Sequence, residues 1–102
     1  MFYHNVYFYQ TNPGNREEAD QLEKGIKSLS SIDTVRDFYV GTCVPSEREV
    51  VDSTYTFHLM AKFDDKAGHD VYQTHPTHID FIKACAHLWE KVKVYDSETT
   101  SP

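Results

Sequence analysis

The spacing of hydrophobic side chains predicts a strand and then a helix at the start of the chain. Positions 2–9 are dense in aromatic and β-branched residues, which favours a strand with large apolar side chains on both faces. After the turn at 12–14, Asn15 and Glu18 form a capping-box-like start for a helix. The apolar positions of that helix recur every three or four residues: Ala19, Leu22, Ile26 and Leu29. This stripe is expected to pack on one face of a sheet.

Two further strands are predicted in the middle of the chain. They cover residues 35–44 and 55–63, and a polar connection at 45–49 separates them. In the second of these strands the side chains alternate between two faces, so the neighbours Phe57 and His58 must point in opposite directions. The histidine is expected on the face that does not carry the helices.

A proline divides the second helical region. Asp64 or Asp65 is expected to cap a short helix that reaches Thr74, because the residue before Pro76 is disfavoured in the α region. A second helix restarts after the proline and covers about 77–91. Its predicted apolar stripe consists of Ile79, Ile82, Ala86 and Trp89, with Phe81, Cys85 and Leu88 beside it.

The order of the elements predicts the fold class. A last strand at 92–95 completes the series strand, helix, strand, strand, helix, strand. This is the α+β, ferredoxin-like βαββαβ arrangement, a four-stranded antiparallel sheet with its helices on one face. Residues 1–96 are expected to form a single domain, and 97–102 a polar tail that frays.

The sheet face without helices needs a cover. It is expected to carry large side chains, among them Tyr3, Tyr7 and Met60. A two-fold homodimer is the commonest way to bury such a self-complementary surface. The sequence therefore predicts a dimer.

The composition limits the partners. The 102 residues carry 10 basic and 16 acidic side chains, a net charge of −6, without a basic stripe that could neutralise phosphates. We expect neither nucleic acid nor a membrane surface as a partner. The start, MFYHNVYFYQ, lacks a basic targeting region and is too short to span a bilayer, so a cytoplasmic protein is expected. Cys43 and Cys85 match no zinc or redox spacing and are expected to be reduced, largely buried thiols.

The stretch YQTHPTHIDF concentrates groups that suit acid–base chemistry. His78 could act as a base, since an unperturbed imidazole has a pKa of about 6.5, and the hydroxyl of Tyr72 could donate a hydrogen bond to a developing enolate or alkoxide. Both residues also have ordinary structural explanations, at a free helix start and in the core. His75 is expected to link the two helical segments, and His69 and His87 to be solvated helix positions.

One further histidine lies on the first strand. His4 is the single polar side chain on its strand face, where an unpartnered imidazole would be costly to bury. It must therefore meet a partner or open onto a cavity. Four residues are expected to provide an apolar wall for a flat or aromatic ligand: Phe57, Phe81, Ile82 and Trp89.

Metal and cofactor sites are not predicted. His75 and His78 are three residues apart and Asp70 or Asp80 could add oxygen ligands, but the proline between the histidines disrupts a single helical face. Neither a cysteine pair nor an HExxH motif supports a metal site. A glycine-rich phosphate loop is also absent from the sequence, so we expect no nucleotide cofactor.

Several motifs together resemble the stress-responsive dimeric α/β-barrel (Dabb) family. They are the first strand with His4, the pair Val40-Gly41, the motif Tyr72-x-x-His-Pro-x-His78, and the closing run from Trp89 to Asp96. The resemblance covers nearly the whole chain. It implies a dimer in which two four-stranded sheets face each other as a barrel, with the helices outside.

Within this family the chain resembles members of the olivetolic acid cyclase type. That resemblance implies a pocket with His4, Tyr72 and His78, and cofactor-independent cyclase- or lyase-like chemistry on a ketide-like or aromatic compound. A further pocket histidine of the cyclase corresponds to Phe57 here, so the set is incomplete. Two alternatives stay open, a non-catalytic stress-responsive interaction module and a cofactor-free monooxygenase. An enzyme requires a cavity of roughly a few hundred Å³ beside Tyr72 and His78.

Overall fold

The computed structural model describes residues 1–100, so the end of the predicted tail, residues 101 and 102, lies outside the described part. The elements are β1 (Phe2–Gln10), α1 (Arg16–Ser28), β2 (Asp37–Thr42), β3 (Phe57–Phe63), α2 (Lys66–Thr74), α3 (Pro76–Cys85) and β4 (Trp89–Glu98). Short 3₁₀ turns follow α1 and α3. Within residues 1–100, none of the helices is long and apolar enough to cross a bilayer.

The four strands form one antiparallel sheet in the order β2-β3-β1-β4. The three helices pack on one face of it, α2 and α3 together taking the place of the second helix. This arrangement confirms the predicted ferredoxin-like βαββαβ fold.

Alternation along the two central strands separates the core from the open face. Side chains of β1 and β3 that point to the helices are buried, and they meet the apolar stripe of α1. On the other face the tyrosines of the edge strands, Tyr39 and Tyr95, are well exposed. Within the described chain this face has no covering layer, as the sequence predicted.

Each helix begins at a side chain that accepts a hydrogen bond from a free backbone amide. Asn15 accepts from the amide of Glu18 at 3.0 Å, and Asp65 accepts from the amide of Gly68 at 2.9 Å. His75 ends α2 and also caps α3, since its Nδ1 accepts from the amide of Thr77 at 3.1 Å. The predicted linking role of His75 is confirmed.

A glycine allows α1 to approach α3 closely. A Cβ atom added to Gly25 would lie 2.6 Å from the Sγ of Cys85, well inside van der Waals contact. Cys85 is buried in this contact and Cys43 is of intermediate burial, in agreement with the prediction of largely buried thiols. Both thiols are free.

The last helix and strand differ from their predicted bounds. The final helix ends at Cys85 rather than near residue 91, and Trp89 begins β4, where it pairs with Gln10. Ladder hydrogen bonds to β1 therefore decide the conformation of residues 89–91 against their helical pattern. For the same reason β4 extends to Glu98, beyond the predicted end of the domain at residue 96, because β1 offers partners as far as Phe2.

The predicted apolar stripe of the last helix is only partly buried. Ile79 is 43% exposed and Ile82 is 40% exposed, while Phe81 and Cys85 take the core-facing positions. The core-facing row is the neighbouring one, Phe81, Cys85 and Leu88, which the sequence placed beside the stripe. This arrangement leaves Ile82 at the surface beside the sheet edge.

Candidate functional site

A cavity of about 140 Å³ lies between the sheet and the helices α2 and α3, near the edge strand β4. Six of the seven residues proposed from the sequence line it: His4, Tyr72, His78, Phe81, Ile82 and Trp89. The seventh, Phe57, is buried in the core and does not line the cavity. Aliphatic side chains of the sheet, together with Leu29 in the turn after α1, complete an apolar wall.

Tyr72 occupies the centre of this group. It is fully buried, and its ring packs edge-on against the rings of His4 and His78, with centroid distances of 5.7 Å and 5.0 Å. Its hydroxyl has no hydrogen-bond partner within the part of the chain that the structure describes. Burial raises the pKa of the Tyr72 phenol well above its ordinary value, so the group stays neutral and keeps the proton with which it can donate a hydrogen bond.

His78 lies in the first turn of α3, half-buried between Tyr72 and Phe81. Burial lowers the pKa of this imidazole, and the nearby rings of His4 and His69 lower it further. The positive end of the helix dipole acts in the same direction. At neutral pH the ring is therefore uncharged and able to accept a proton.

His4 has a hydrogen-bond partner and also lines the cavity. Its Nδ1 lies 2.6 Å from Oδ1 of Asp96, to which it donates a hydrogen bond, because the two residues face each other across the β1–β4 pair. The sequence placed residue 96 at the end of the domain and did not identify it as a site residue. Only the strand register shows that this carboxylate meets the histidine.

His69 was predicted to be solvated, and that prediction is wrong. The residue is 7% exposed, and its ring centroid lies 4.6 Å from that of His4. It stacks on Phe2 at 4.5 Å and hydrogen-bonds through Nε2 to the amide of Gln73 at 2.9 Å. Its spacing of three residues from Tyr72 puts both side chains on the buried face of α2, a signal that was present in the sequence. His87 is exposed, as predicted.

The histidine of the third strand points away from this site. His58 lies on the open sheet face, where its Nε2 is 2.9 Å from Oδ1 of Asn5 and its ring stacks on Tyr7 at 4.5 Å. The prediction from strand parity is confirmed. The helix-facing position beside it belongs to Phe57, so the cavity has no histidine from β3.

The lowered pKa of His78 should appear in the pH dependence of stability. The unfolded chain binds a proton on this residue at about pH 6.5, whereas the folded chain, with His4, His69, Tyr72 and Phe81 around the ring, binds it only at lower pH. Stability is therefore expected to be highest above that pH and to fall as the pH drops through it. Urea titrations between pH 7.5 and 5.5 should show a shallower fall for His78→Gln than for the original chain. If stability fell equally with pH in both proteins, the lowered pKa of His78 would be contradicted.

Two comparisons of sequence connect this arrangement to known proteins. The family model described as the stress responsive A/B barrel domain matches residues 2–99. A relative from Arabidopsis thaliana, the stress-response A/B barrel domain-containing protein At5g22580, is 29% identical over 80 residues, which are 78% of this chain and 71% of the relative.

Solved structures share the fold over nearly the full length. The Arabidopsis thaliana protein At3g17210 has a TM-score of 0.82 at 25% identity, covering 100% of this chain and 98% of that one. A dimeric ferredoxin-like protein of unknown function from Thermobifida fusca has a TM-score of 0.76 at 17% identity, covering 96% and 90% of the two chains. The hydroxynitrile lyase from Passiflora edulis has a TM-score of 0.80 at 19% identity, covering 99% and 96%. Since the family model spans almost all of the sequence, the chain belongs to the stress-responsive A/B barrel domain family.

Proposed function

We propose that the protein is a homodimer in which each subunit binds a small aromatic or apolar molecule and performs cofactor-independent acid–base chemistry of the cyclase or lyase type. In this proposal His78 removes a proton next to a carbonyl group, and Tyr72 donates a hydrogen bond to the oxygen that becomes negative. His4 provides the remaining polar contact of the pocket.

The buried hydroxyl of Tyr72 carries this proposal. A buried hydroxyl without a partner is destabilising by about 1–3 kcal/mol, so a chain with no use for it would be more stable with phenylalanine. Tyr72 lines the cavity with its ring between two imidazoles, and an oxygen of a ligand bound there is the partner proposed for its hydroxyl. An oxyanion in that position would be stabilised more than a neutral carbonyl, which is the requirement for catalysis.

The volume of the cavity limits the ligand. About 140 Å³ is close to the roughly 150 Å³ of an engineered apolar cavity that holds benzene. This size favours a compound with one ring over a long ketide chain. The Passiflora lyase indicates that a chain of this fold can support lyase chemistry, and it adds no residue assignment at this identity.

The dimer follows from the open sheet face. Tyrosines and Met60 line this face, and the Thermobifida protein of the same fold is dimeric. A second copy of the same face would bury these side chains around a two-fold axis.

Ligand binding can be tested with acetophenone, which has one ring and a carbonyl group. Native mass spectrometry is expected to show twice the chain mass, and ligand-observed NMR one acetophenone per subunit. Ile82→Trp should weaken binding at least about tenfold, because the larger side chain fills the cavity beside the sheet edge. Ile79→Trp is the matched control, since Ile79 is equally exposed on the same helix and does not line the cavity.

A second candidate function is favoured by the same cavity. Its volume is below the roughly 300 Å³ at which typical ligand pockets begin, and Phe57 stands where the cyclase-type members have a histidine. Both features suit a dimeric interaction module without catalysis. A dimer that shows no acetophenone binding, or equal binding in both tryptophan variants, would favour the module and contradict the pocket.

A further inference from the structure

Three potential metal ligands from three different elements meet beside the cavity. They are His4 of β1, His69 of α2 and Asp96 of β4. One ligand atom of each lies within 4.8 Å of the others. The three residues are 27 or more positions apart in sequence, so only the folded sheet and helix bring them together.

We propose that these three residues bind a divalent transition metal ion, with Zn²⁺ as the reference ion. Two imidazoles and one carboxylate are ligands that Zn²⁺ and its neighbours prefer, and three protein ligands leave one coordination position open. Because His4 also lines the cavity, the three ligands adjoin the proposed ligand pocket.

The surroundings suit a metal centre. The ring of His69 is held in place by stacking on Phe2 and by a hydrogen bond that its Nε2 accepts from the side-chain amide of Gln73. Asp96 is 36% exposed on the edge strand, so an ion can enter from solvent without opening the core. The carboxylate of Asp70 lies 4.0 Å from Nδ1 of His69 and adds negative charge on the same side.

The pair of His4 and Asp96 needs only a small adjustment to hold an ion. Nδ1 of His4 and Oδ1 of Asp96 are 2.6 Å apart, a hydrogen-bonding distance. Two ligands at about 2.1 Å from a tetrahedral ion are separated by about 3.4 Å. The ion would replace the shared proton, and the exposed carboxylate would move by under about 1 Å. A rotation of the Asp96 side chain can supply this movement.

A different pair of histidines has a metal-like spacing in the sequence. His75 and His78 have a metal-like spacing, but Nδ1 of His75 already caps α3. The sequence did not predict the three-residue cluster, because His69 was expected in solvent and residue 96 was expected to end the domain.

Isothermal titration with Zn²⁺ tests the site on untagged protein that has first been treated with a chelator. We expect one Zn²⁺ per chain. Asp96→Asn, which keeps the size of an exposed side chain, should weaken binding at least about tenfold, and His69→Gln should do the same. His87→Gln removes an exposed histidine outside the cluster and should leave binding unchanged. Circular dichroism verifies that each variant is folded.

Two results would overturn the site. One is the absence of saturable binding below about 1 mM Zn²⁺, and the other is equal affinity in Asp96→Asn and the original chain. Either would mean that His4 and Asp96 form only a hydrogen-bonded pair. The metal site does not depend on the proposed reaction, because Ile82→Trp is expected to block acetophenone and to leave Zn²⁺ binding intact. Failure of one proposal is thus distinguishable from failure of the other.

Discussion

Replacing Phe63 with alanine is expected to destabilise the folded chain by about 3–5 kcal/mol. Phe63 is fully buried at the end of β3, where its ring packs edge-on against Tyr72 at 5.0 Å and His69 at 5.5 Å. The truncation loses the transfer energy of the ring and leaves a cavity that the paired strand cannot fill. Since small domains have about 5–15 kcal/mol of stability in total, the loss is a large fraction of it.

Urea denaturation at one fixed protein concentration measures this effect, because a dimer's apparent stability depends on concentration. Val71→Ala is the control, since Val71 is about half exposed on α2 and its truncation should change stability by less than about 0.5 kcal/mol. A similar loss of stability in both variants would contradict the expectation that the buried packing of Phe63 is the cause. Phe63→Ala should also weaken ligand binding, because it removes the ring that packs against Tyr72.

Replacing His78 with alanine is expected to lower the rate of proton exchange from the methyl group of acetophenone by about 10²–10⁴-fold. In D₂O a base that removes a proton next to the carbonyl replaces methyl hydrogens with deuterium, which NMR follows directly. The uncharged ring of His78 beside the cavity is the group suited to this step. Tyr72→Phe should lower the same rate by about 10²–10³-fold, through loss of the donor to the enolate oxygen.

The stability of the Tyr72 variant separates a catalytic from a structural role. Removing a buried hydroxyl that has no partner should leave the free energy of unfolding unchanged or raise it. A residue that is merely structural would show the opposite, a loss of stability with no selective loss of exchange. His87→Ala, at an exposed histidine, should behave as the original chain in both measurements. Exchange rates that are equal in all three variants and the original chain would contradict the proposed chemistry.

The sequence by itself determined the fold and most of the cavity. The hydrophobic period of each segment decides whether it lies on a strand or a helix, and the order of the segments then leaves few arrangements. The proline after His75 fixed the break between α2 and α3, and strand parity placed His58 on the open face. These features depend on interactions between residues that are near one another in sequence, so the sequence is sufficient to predict them.

Only the tertiary structure decided which polar groups meet. The contact of His4 with Asp96 depends on the register between the first and last strands, and a shift of one residue would turn the carboxylate to the other face. The spacing of His69 and Tyr72 puts both on one face of α2, but the contact of His69 with His4 depends on how that helix packs on β1. Helix bounds and long-range register are decided by pairing and packing between distant segments. The residues that the sequence missed are therefore those that lie opposite a partner distant in the chain.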